Sequence, residues 1–287
     1  MPNSNLWQYT VLSDDIVKLS LLPGIGGRVM NVHFRGKPLL FENPDSREFP
    51  PDLSDLSTVP TRARHLPFPL WGGEKTWIAP ESSWPETGPH PVLDSGPYEC
   101  QTLSDVKVCM TSRICPISGL QVVRTVTLEK GEAGWTVEHK LINHSDTDQH
   151  CGIWSVMMVR RPVRIICQAP ARESHAIVMG DPLTAVSVSR EQIAVSCIAA
   201  DEFKIGTHPT GCVAKVLCGG ETGAITLTAE ASSLSAAEKY AHGHALEVYN
   251  SADYDYAELE WHAPAENLSP GETSMFSVKY RIRETTE

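Results

Sequence analysis

The 287-residue chain predicts an all-β fold, a large antiparallel sandwich, and three observations carry the prediction. Apolar and polar residues alternate with period two along most of the sequence, the mark of half-buried strands. Turn signals (PG, GG, NP, GE and PGE) recur between the alternating runs. Helix signals are few: only Ala231–Tyr240 reads as a short helix, on a weak period. Many short strands with near-regular turns indicate a sandwich or barrel, not alternating β/α units. Sandwiches of this length commonly fold as one unit, so residues 1–287 are expected to form a single domain without internal repeats.

Taken in order, the first strands are expected at 15–22 and 28–34. The turn between them carries Pro23–Gly24 and Gly26–Gly27. Its G-x-G-G-R spacing, followed by a strand, is not a dinucleotide loop. Arg28 either reaches a cleft or pairs at the surface. Residues 43–97 follow, with 11 of the 21 prolines, too many for regular strands. Long ordered loops of this kind are usually functional, and this one is expected to cover the cleft. A strand at 106–115 precedes VVRTVTL, the turn EKGEAG and a run in which Trp135, Val137, His139 and Leu141 share one face. These read as a hairpin with a long loop. Further strands are expected at 152–159, 163–167, 185–189, 193–198, 212–218, 223–228 and 244–249. The last run puts Phe276, Val278, Tyr280 and Ile282 on one face.

Composition bounds the function. Hydrophobic residues make up 41% and charged residues 21%, ordinary for a globular protein. No stretch approaches the ~18 consecutive apolar residues of a membrane helix. The opening MPNSNLWQYTVLSDD lacks the basic and apolar regions of a secretion signal, so a cytoplasmic location is expected. A net charge of −11 argues against nucleic-acid or anionic-membrane partners. The eight cysteines include no C-x-x-C pair and read mainly as small buried hydrophobes. No G-x-S-x-G, Walker loop, H-E-x-x-H or kinase signature is present.

Two segments carry candidate chemistry. WGGEKTWIAPESSWP, 71–85, combines two glycines with Glu74, Lys75, Trp77, Glu81 and Trp84. Sugars are held by charged groups on their hydroxyls and aromatic faces on their C–H patches, and this segment offers both. The alternative is a Trp-rich plug at the end of the sandwich, with Glu74 and Lys75 merely solvated. YAHGHALEVYNSADYDYAELEWHAP, 240–264, is the second. On a strand His242 and His244 share a face. Glu258, Glu260 and His262 share another, opposite Leu259 and Trp261. A His-x-His pair with a nearby carboxylate is a metal pattern, although two hydrogen-bonding histidines are the favoured reading.

With these segments in view, the chain resembles the galactose-mutarotase-like, or aldose 1-epimerase-like, superfamily, and within it an uncharacterised bacterial domain family. GIGGRVMNVHFRGKPLLFENP, GGEKTWIAPESSWP, LINHSDTDQHCGIWSV, FKIGTHPTG and YAELEWHAPAENLSPGETSMFSVKYRI carry the resemblance in order, over about residues 15–285. It implies an antiparallel supersandwich with a sugar site on its concave face. In such mutarotases a glutamate near the C-terminus is the base and a mid-chain histidine the acid. The glutamate position falls on Glu258 or Glu260. The histidine position falls in GIWSVMMV, 152–159, which has none, and His150 lies just before it. His242, His244, His262 and Lys75 remain as acids.

The expected function is therefore a carbohydrate-active protein, an acid–base enzyme of epimerase or lyase type on a sugar or sugar derivative, without an organic cofactor. Glu258, Glu260, His242 and His244 are the catalytic candidates. Glu74, Lys75, Trp77, Glu81, Trp84, Arg28 and His262 are the substrate-binding ones. The alternatives are a non-catalytic carbohydrate-binding protein, and an enzyme on a non-sugar substrate with a divalent metal held by His242 and His244.

Overall fold

A computed structural model describes residues 6–168, 175–182, 184–189, 191–219 and 225–285. Two antiparallel sheets pack face to face. The eleven-stranded sheet runs Thr10–Ser13, Val17–Leu22, Arg28–Phe34, Glu74–Ala79, Gln149–Arg160, Tyr256–His262, Leu246–Asn250, Phe203–Thr207 and His175–Gly180. Two short strands, Lys37–Pro38 and Glu266–Leu268, attach beside this path. The ten-stranded sheet has Ile225–Ala231 and Thr273–Glu284 at its centre, with Gly134–Asn143 next to the latter.

Parity explains the core. Leu120, Val122, Val126 and Leu128 face inward from one strand, and Trp135, Val137 and Leu141 from the next. Leu259 and Trp261 meet them from the other sheet. Alternation along a strand sends every second side chain to the same face, so one continuous apolar layer forms between the sheets. The expected hairpin is present: Leu120–Glu129 pairs with Gly134–Asn143, ending on the Glu129↔Gly134 pair. The buried face of Thr273–Glu284 carries Phe276, Val278, Tyr280 and Ile282, as its alternation predicts.

Three expectations are corrected. Ala231–Tyr240 is not a helix: Ala231 closes the strand Ile225–Ala231, and only Ala237–Lys239 makes a single 3₁₀ turn. Residues 43–97 are not loop throughout. Glu74–Ala79 is an interior strand between Arg28–Phe34 and Gln149–Arg160. It escapes a proline count because Pro69 and Pro80 lie outside it. Its buried residues on both faces also erase the alternation that marks half-buried strands. His242 and His244 do not lie on a strand; they precede Leu246–Asn250 in a turn where Gly243 has φ +73°. The first two positions of the strand expected at 223–228 lie outside the described residues. Among the described residues, no helix is long and apolar enough to cross a membrane.

Candidate functional site

The outer face of the eleven-stranded sheet, turned away from the second sheet, carries the site. Register brings five strands together there. Lys75 stands opposite Val156, and Trp77 opposite Trp154. Trp154, Val156 and Met158 pair with His262, Glu260 and Glu258. Glu247 and Tyr249 pair with Glu260 and Glu258. Lys204 pairs with Tyr249. All these positions share parity, so their side chains emerge together over one patch of sheet.

Above the patch lies a cavity of about 510 Å³. Its walls include Trp77, Trp154, Tyr249, Tyr256, Glu258, Glu247, Lys204, His242 and His244. Leu66, Phe68 and Leu70 from the segment preceding Glu74–Ala79 close one side, and Glu81 and Glu202 also line it. Part of the proline-rich segment thus lines the cavity. The volume falls in the range of small-molecule sites, about 300–1,000 Å³.

The aromatic floor is rigid. Trp84 stacks on Trp154 at 5.7 Å and 20°, and Trp77 meets both edge-on at 5.1–5.2 Å. Three indole N–H groups are anchored. Trp77 Nε1 donates to Asp94 Oδ1 at 2.7 Å, Trp84 Nε1 to the Ile78 carbonyl at 2.7 Å, and Trp154 Nε1 to Glu260 Oε2 at 2.9 Å. Hydrogen-bonded indoles in edge-to-face contact are fixed in orientation, which suits a stacking platform.

Two charged groups flank the floor. On one side Lys75 Nζ bonds Glu258 Oε1 at 3.2 Å and sits 3.8 Å from the Trp77 ring centre. Burial holds the Lys75 pKa below its ordinary value, against the pull of Glu258. On the other side Lys204 Nζ bridges Glu247 Oε2 at 2.8 Å and Glu260 Oε2 at 2.9 Å. Burial opposes the Lys204 charge, but the two carboxylates outweigh it and hold its pKa high. Glu260, fully buried, is pushed up to about 8 by burial, despite Lys204, with Glu258 and Glu247 adding repulsion. Glu247 is the hub. His244 Nδ1 lies 3.3 Å and His242 Nδ1 3.4 Å from its Oε1, and His262 Nε2 3.4 Å from its Oε2. Burial of Glu247 is outweighed by these histidines and Lys204, which depress its pKa strongly. His262, 1% exposed, is lowered to about 4, chiefly by burial.

Five of the residues singled out by sequence line the cavity: Glu258, His242, His244, Trp77 and Glu81. Four others sit directly beneath or behind it. Lys75 supports Glu258 and Trp77; Glu260 and His262 contact Trp154; Trp84 backs Trp77 and Trp154. Two are elsewhere. Glu74 has opposite parity to Lys75 and points into the core, where it pairs with Arg124 of the facing sheet. Arg28 neither reaches the cavity nor lies at the surface. It is 1% exposed and binds Asp94 Oδ1 at 2.6 Å and the Gly72 carbonyl at 3.1 Å. Asp94 in turn holds Trp77, so Arg28 acts on the floor through one intermediary.

The sequence reading missed Lys204, Glu247, Tyr249 and Trp154. Alternation in FKIGT and LEVYN does place Lys204 opposite Phe203 and Ile205, and Glu247 opposite Leu246 and Val248. What alternation does not give is the pairing of those two strands, which are some forty residues apart in the chain.

Comparison with known proteins agrees with this architecture. No protein-family model matches the chain, and no curated protein sequence matches it significantly. Solved structures do match. The Slr1438 protein of Synechocystis sp. PCC 6803 superposes with a TM-score of 0.65 at 14% identity, covering 97% of this chain and 96% of that one. A galactose mutarotase-like protein of Lactobacillus casei gives 0.63 at 8% identity, covering 96% and 100%. A galactose mutarotase related enzyme of Lactobacillus acidophilus gives 0.62 at 7% identity, covering 98% and 99%. Likeness at these identities is likeness of fold, and the chain has the galactose-mutarotase-like β-sandwich fold.

Proposed function

We propose that the cavity binds a sugar or sugar derivative and performs acid–base chemistry of aldose 1-epimerase type. The observation that carries this reading is the cavity wall itself. A carboxylate, Glu258, and two imidazoles held by Glu247 face one space lined by the indoles of Trp77 and Trp154. Aromatic faces cover the C–H patches of a sugar ring, and charged groups take its hydroxyls.

Glu258 is the base in this reading, because it lines the cavity whereas Glu260 lies beneath Trp154 and Lys204. Its carboxylate withdraws the proton of the anomeric hydroxyl. As the C1–O1 double bond forms, the C1–O5 bond breaks and His244 protonates O5. Rotation about C1–C2 turns the aldehyde, and the reverse steps close the ring as the other anomer. Glu247 holds Nδ1 of His244, which directs Nε2 to the donor role. Lys75 orients Glu258 through their ion pair.

The test is anomer exchange followed by NMR on a panel of sugars, sugar acids and sugar phosphates, preceded by a thermal-shift screen. A ligand that binds only the folded state raises the melting temperature. Glu258→Gln is expected to lower kcat by roughly 10²–10⁴-fold with the ligand-induced shift retained. A stabilising sugar whose anomers exchange no faster with wild type than without protein would make this a binding protein. No shift with any sugar class would remove the carbohydrate reading.

A further inference from the structure

Glu247 and its histidines have a geometry the acid–base reading does not use. His242, Glu247 and His262 each offer a ligand atom, and the three atoms lie within 4.8 Å of one another. From one oxygen, Glu247 Oε2, His242 Nδ1 lies 3.5 Å and His262 Nε2 3.4 Å away, and both separations are long for an N–H···O bond. They match the edge of a tetrahedron built on metal–nitrogen and metal–oxygen bonds of about 2.0–2.2 Å, which is roughly 3.3–3.5 Å.

His262 supplies the second observation. It is 1% exposed, and among the described residues neither ring nitrogen makes a hydrogen bond of ordinary geometry. A buried polar group without a partner is costly, so an unsatisfied imidazole aimed at a carboxylate points to a missing ligand. Trp154 stacks on His262 at 5.0 Å and 26°, and meets His242 edge-on at 4.9 Å, which fixes one ring and guides the other. His242 sits in a turn beside Gly243, ahead of the strand that carries Glu247.

We propose that His242, Glu247 and His262 form a binding site for one divalent transition-metal ion of the zinc class, with an open coordination position toward the cavity. Two imidazoles and one carboxylate form a donor set suited to such ions and poor for magnesium or calcium. The remaining position opens on the cavity because His242 and Glu247 both line it. The site stands on its own geometry, not on the sugar reading. Lys204 competes with the ion, since its ammonium holds Glu247 Oε2 at 2.8 Å.

The test uses the full chain, expressed without a histidine tag and stripped with EDTA. Cobalt(II) is titrated by visible absorption and zinc by calorimetry. Wild type is expected to bind one equivalent, with the intense d–d bands of low-coordinate cobalt in a nitrogen-containing site. His262→Gln and Glu247→Gln are expected to weaken binding by roughly tenfold or more, because each removes one of three ligands. Lys204→Met is expected to tighten it by removing the competing charge. The proposal is overturned if stripped wild type shows only the hexaaqua cobalt spectrum, or if His262→Gln binds as well as wild type. The wild-type spectrum decides even if a variant fails to fold. Running the sugar screen in EDTA as well keeps its failure and the failure of the metal site apart.

Discussion

At the scale of single residues, one position along a strand decides between structure and function. Glu74 and Lys75 are neighbours, yet Lys75 serves the cavity and Glu74 enters the core. Glu74 is fully buried against Arg124, with His139 Nε2 at 3.9 Å and Ser155 nearby. Removing one partner of a buried ion pair leaves the other uncompensated, at a cost of about 3–5 kcal/mol. Glu74→Ala is therefore expected to lower unfolding free energy by that amount, read from urea denaturation, with ligand affinity unchanged in the folded protein. Loss of affinity without loss of stability would place Glu74 in the site after all. The sequence allows either fate, because Glu74–Ala79 is buried on both faces and shows no alternation that separates the core face from the cavity face. The parity of Glu258, Glu260 and His262 against Leu259 and Trp261 was legible because bulky apolar side chains mark the core face.

At the scale of elements, packing between strands places what the sequence leaves unplaced. His242 and His244 look like a strand pair, but the left-handed conformation at Gly243 breaks the alternation. They converge through Glu247 instead, and that contact depends on the neighbouring strand Phe203–Thr207. Gly206 on that strand leaves room for the His244 ring: a Cβ at 206 would lie 2.2 Å from Nδ1 and 2.3 Å from Cγ. Gly206→Ala must therefore displace the imidazole from Glu247. The obstruction is a partly exposed side chain, not backbone, so the fold is expected to survive, with a loss of stability of about 1 kcal/mol. On the epimerase reading, activity should fall as far as in His244→Gln. The check compares kcat of the two variants with their denaturation midpoints; full activity in Gly206→Ala would show that His244 is not the acid. Nothing in the sequence singles out this glycine, and only the strand pairing reveals what it accommodates.

At the scale of the whole molecule, the sandwich buries imidazoles that must stay neutral, and this couples its stability to pH. His262 lies under the cavity with its pKa lowered to about 4, first by burial and then by His242 and Lys204, with Glu247 pulling the other way. His139 lies between the sheets, lowered well below its ordinary value by burial and by Arg124. In the unfolded chain both titrate near 6.5. At these two groups the unfolded state binds more protons than the folded one between about pH 6.5 and 4, so their contribution to stability falls as pH falls. The stabilisation is complete above about pH 7 and is withdrawn on acidification through that window. For His262 the full effect is on the order of 3 kcal/mol, from about 1.4 kcal/mol per tenfold change in proton affinity. Glu260, pushed up to about 8, gains stability on acidification over the same range, so the histidine contribution is read as a difference: urea midpoints at pH 7.5 and pH 5.0, with EDTA present, are compared between wild type and His262→Gln. His262→Gln removes one of the two histidines, so its dependence over this window should be shallower than wild type. Equal pH dependence in variant and wild type would mean that His262 takes up its proton in the folded state, as an imidazolium paired with Glu247.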